Sequence, residues 1–203
     1  MNARKDGVAN TSKIIGSDDA IFMLSKLKWE IEQIINHPQD GVAVRLFKSV
    51  NCAITAWHLQ DWIWKLSDAR QRELLERLVG VKQLGQPFDV AVQKWCPAIG
   101  LCRQIATPAK HLGVVFDEPS VTLGGVFDGE AVGHATRLFI TSGSDRYPDT
   151  DVYIACLDAW SQVYSLLGLP QALEVSRALR DAHHGKLPEV WMIDIQQEET
   201  ARE

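Results

Sequence analysis

Hydrophobic and polar positions repeat with helical spacing along most of the chain. Leu24, Leu27, Ile31 and Ile34 fall three or four residues apart, the spacing that places side chains on one face of an α-helix. Ser17 or Asp18 is suited to cap this helix. His37-Pro38 ends it, because the residue before a proline is pushed out of helical geometry. A longer helix is predicted from about Gly41 to Leu66. Its bulky residues Leu46, Phe47, Val50, Ile54, Trp57, Trp62, Ile63 and Trp64 lie on more than one side, which marks a central element touched by several neighbours. A charged helix follows over DARQRELLERLV, with Gly80 and Gly85 punctuating its end.

Gln86 to Trp95 reads as one helical piece and Pro97 as the first residue of the next, where its missing N–H costs nothing. Thr107-Pro108 predicts a kink or interruption in that piece. After Gly113, β-forming residues alternate with glycine and polar residues in VTLGGVFDGEAVGHATRLFITSGS. That pattern predicts two or three short strands with turns at Phe127–Gly129 and Ser142–Asp145. A helix then begins near Asp149 to Asp151, with Val152, Cys156, Trp160, Val163 and Leu167 on one face and Gly168-Leu169-Pro170 as its stop. A last amphipathic helix covers 171–182, and PEVWMIDIQQEETARE suggests an edge strand before the end.

The fold expected is mainly α, an antiparallel helical bundle with a small β element inserted at about residues 114–142. Residues 1–16 are polar and aperiodic, a loose arm. Residues 17–195 form a single helical domain, and 196–203 a frayed tail.

Composition narrows the function classes. The 203 residues are 46% hydrophobic and 23% charged, the balance of a globular chain. A net charge of -5 disfavours a general nucleic-acid coat. No run approaches the roughly 18 apolar residues of a membrane span, and MNARKDGVANTSK has no apolar signal-peptide core. A cytoplasmic protein without membrane partners is expected. Cys52, Cys96, Cys102 and Cys156 form no CxxC pair. They read as reduced, buried thiols, since cysteine in an apolar helical pattern behaves as a small hydrophobe. No metal or other cofactor is predicted, and no Gly-rich phosphate loop, GxSxG, HExxH or zinc-deaminase pattern is present.

The candidate chemistry lies on the long helix. Asn51, Thr55, His58 and Asp61 share one side of a helix otherwise built for burial. One reading is a satisfied hydrogen-bond network: Asp61 accepts from the His58 ring or from a neighbouring lysine, and Thr55 bonds its own backbone. The other is a lined cleft, with His58 and Asp61 as a base and its orienting carboxylate, or as two ligands of a metal completed from another helix. Lys110-His111 is the natural partner, since Lys110 can neutralise Asp61 or His111 can approach His58 if the helices pack antiparallel. Arg103 lies earlier on the same segment.

The segments LSKLKWEIEQI, AWHLQDWIW, LCRQIATPAKHL and DVYIACLDAW resemble a group of uncharacterised proteins from bacteria and their mobile elements. These share a helix of the form A-x-H-L-x-[DE]-W and a later [CV]-R-x-I-A-x-x-x-K-H. The resemblance spans about residues 20–165, and implies a shared fold more than an activity. In outline the group is similar to HEPN domains, helical bundles that include dimeric, metal-independent ribonucleases of toxin–antitoxin and phage-defence systems. That likeness implies Arg103 to stabilise phosphate charge and His111 to move a proton as the RNA 2′-oxygen attacks, with His58 and Asp61 near the same cleft. The family's signature places four to six residues between arginine and histidine. Here Arg103 and His111 are separated by seven, with Pro108 among them, a departure from it. Arg177 and His183 match the spacing, but at an ordinary helix end whose cations suit the helix dipole.

Two functions from different classes follow. The first is a non-catalytic accessory or interaction protein with a protein partner, its exposed tryptophans (Trp95 or Trp191) marking the surface. The second is a HEPN-like endoribonuclease acting on RNA as a homodimer.

Overall fold

The computed structural model describes residues 21–81, 87–110, 121–126 and 137–183. Among them run seven helices and one three-stranded antiparallel sheet. The helices are α1 (Phe22–Ile35), α2 (Val42–Leu66), α3 (Ala69–Leu78), α4 (Phe88–Trp95), α5 (Pro97–Lys110), α6 (Asp149–Leu166) and α7 (Ala172–His183). Strands β1 (Thr122–Val126), β2 (Arg137–Ser142) and β3 (Asp145–Pro148) fall between α5 and α6. The fold is therefore a mainly helical bundle with a small inserted β element, as the hydrophobic pattern predicts. The expected N-terminal arm, the caps Ser17 and Asp18, the turn at Phe127–Gly129 and the C-terminal tail with its edge strand lie outside the described residues.

α2 is the centre of the bundle, packed against α1, α5 and α6, while α7 lies on α6 and α1. Leu24, Leu27, Ile31 and Ile34 of α1 are fully buried, as are Val152, Cys156 and Trp160 of α6. Trp160 is the largest fully buried side chain. Its indole N–H donates to the carbonyl oxygen of Ala56, 2.9 Å away in the middle of α2, which satisfies the polar atom that a buried tryptophan carries inward. The Trp95 ring lies 6.4 Å from that of Trp160 and packs against the core. It is not the exposed partner-surface residue expected from sequence, because the face of α4 that carries it turns towards α6.

Local chemistry sets the element ends. At the start of α3, Asp68 Oδ1 accepts from the Gln71 N–H at 2.8 Å and Gln71 Oε1 accepts from the Asp68 N–H at 3.0 Å. This is a reciprocal capping box that satisfies two otherwise orphaned donors. Gly168 follows α6 with φ of +94°, a left-handed conformation that costs glycine least. α5 opens on Pro97 but is not interrupted at Pro108, and runs on to Lys110. So close to the helix end, the proline removes one backbone hydrogen bond, and the Thr107 hydroxyl still donates to the Arg103 carbonyl at 2.8 Å.

β2 pairs with both neighbours, Ile140 lying opposite Leu123 on one side and Tyr147 on the other. Its Leu138 and Ile140 are buried where β2 packs on α6 and α2. A two-residue turn joins β2 to β3, with Gly143 at φ +59°, the positive angle that tight hairpins require. β3 lies beyond residue 142 and leads through Pro148 directly into α6.

Candidate functional site

The four polar residues of α2 occupy different environments. At about 100° per residue, Asn51, Thr55, His58 and Asp61 spread over roughly 120° of the helix, wider than any one contact. Thr55 falls on the side towards α1 and is buried. Its hydroxyl accepts from Lys26 Nζ at 2.6 Å, and the same ammonium pairs with Glu30 one turn along α1. Thr55 thus bonds a lysine of the neighbouring helix, where its own backbone was expected. Asn51 is exposed. His58 Nδ1 and Asp61 Oδ2 are 2.9 Å apart, with side chains 29% and 47% exposed. That pair lies on the outer face of the bundle.

Arg103 projects from α5 and is half-buried. Its Nη1 donates to Gln93 Oε1 at 2.8 Å, and its guanidinium carbon lies 5.8 Å from the Trp57 ring centroid. It ties α4 to α5 and covers a tryptophan of α2, a cation–π arrangement. Among the described residues no hydrogen bond or ion pair joins Arg103 to His58 or Asp61. Lys110 ends α5, but its side chain and the whole of His111 lie outside the described residues, as does the side chain of His183. Arg177 forms a surface ion pair with Glu174 at 2.6 Å.

The buried polar chemistry is elsewhere. Arg45 Nη2 lies 3.4 Å from Asp149 Oδ1 and its Nη1 donates to the Ile34 carbonyl at 3.2 Å. Ser49 donates to Asp149 Oδ2 at 3.0 Å and shares a 2.7 Å hydrogen bond with the Tyr153 hydroxyl. These four residues tie the N-terminal half of α2 to the first turns of α6. Burial pushes the Asp149 carboxyl above its ordinary value, opposed by Arg45, Ser49 and the Thr150 N–H. Burial also raises Tyr153 well above the usual phenol range. Sequence reading missed this network because its members are about a hundred residues apart and each looks ordinary locally: a basic residue in a helix, a serine among apolar neighbours, an acid at a helix start.

The four cysteines are free and buried. Cys102 Sγ and Cys156 Sγ are in contact at 3.6 Å across α5 and α6. Burial pushes the Cys96 thiol up to about 12 and those of Cys52 and Cys156 well above their usual value, the condition of inert structural thiols. Among the described residues, no group of three or more His, Cys, Asp or Glu side chains is placed to hold a metal ion. No helix there is long and apolar enough to cross a membrane.

What α2 does present is apolar surface. Val44, Phe47, Trp62 and Leu66 are 47%, 67%, 37% and 54% exposed. They are four of the six large hydrophobic side chains exposed among the described residues, the others being Trp29 and Leu166. Phe47 and Trp62 were legible in sequence as bulky residues of a helix hydrophobic on several sides. The pattern alone did not show which of these side chains would stay exposed. Compared with family models, with curated proteins and with solved structures, the chain matches none.

Proposed function

We propose that this protein is a non-catalytic interaction module whose outer α2 face docks a protein partner. The concentration of exposed apolar side chains on that one helix carries the reading. Single exposed hydrophobics are ordinary, whereas four of the six among the described residues lie on this one helix, a pair near each end. His58 and Asp61 sit within this face as a solvent-accessible polar pair, where they contribute specificity more than stability. Arg103, the cation that a nuclease would aim at phosphate, is held by Gln93 and Trp57, and this favours the binding reading over a HEPN-like ribonuclease of a bacterial or mobile-element system.

The test is site-directed photo-crosslinking in the producing cell. A photoreactive amino acid at position 47 or 62 should give a discrete adduct, and one at Arg70 on the exposed surface of α3 should not. Equal labelling from all three positions sinks the proposal. So does RNA cleavage by the purified chain that is lost in His58→Ala.

A further inference from the structure

We draw no further inference here: the strongest candidate, the exposed apolar patch of α2 at Val44, Phe47, Trp62 and Leu66, belongs to the face already described, and nothing among the described residues shows what covers it.

Discussion

Replacing Asp149 by asparagine removes one negative charge and very little else. The side-chain carbonyl of asparagine can still accept from Ser49 or the Thr150 N–H, which lie 3.0 Å and 2.9 Å from the carboxylate oxygens, and the volume is conserved. What disappears is the counter-charge of Arg45, whose side chain is only 8% exposed. Removing one partner of a buried ion pair costs about 3–5 kcal/mol, because the other charge stays desolvated. The 3.4 Å separation is long and Arg45 keeps the Ile34 carbonyl, so Asp149→Asn is placed at about 3 kcal/mol, the lower end of that range. For a domain of this size that lowers Tm by roughly 6–12 °C.

The assay is urea unfolding followed by circular dichroism, with Arg45→Met and the double variant completing a cycle. The double variant should lose less than the two single losses added together, since it strands no charge. A single loss under about 0.5 kcal/mol, or strict additivity, refutes this account of the pair.

Four smaller outcomes follow from other parts of the fold. Asp68→Ala removes the α3 capping box and should cost about 1 kcal/mol in the same urea assay; no loss would show that α3 is held by packing alone. Gly168→Ala forces a side chain into φ of +94° and should cost about 1–2 kcal/mol, read as a lowered Tm without a change in circular dichroism. With the four cysteines buried, a thiol reagent such as DTNB should find none reactive in the native chain and all in urea, and one fast native thiol would contradict their packing. His58→Ala removes a partly exposed pair and should change stability by less than about 1 kcal/mol, whereas a larger loss would place His58 in a structural network.

Much of the architecture was legible one segment at a time. The apolar spacing of Leu24, Leu27, Ile31 and Ile34 marks α1, and the run from Gly41 to Leu66 matches α2 closely, because helical periodicity and its proline and glycine stops are local properties. The hairpin at Gly143 was equally local. Pro108 was misjudged as an interruption because the effect of a proline depends on how many helical bonds follow it, and here few do. Thr55 and Trp95 show the limit of a helix pattern: it groups residues by angle, and the same angular sector of α2 holds a threonine buried against Lys26 and an asparagine in solvent.

By itself, the sequence determined the helical class, the inserted β element, the central place of the tryptophan-rich helix and the burial of the thiols, all of which follow from periodicity and side-chain chemistry over a few turns. Among the described residues, the tertiary structure decided which side of α2 is covered by α1, α5 and α6 and which of its side chains stay exposed. It put Arg45 beside Asp149, 104 residues away, set Arg103 against Gln93 and Trp57, and left Phe47, His58 and Trp62 facing outward. Those are long-range outcomes, fixed by how α1, α5 and α6 share the surface of one helix, and no local pattern encodes them.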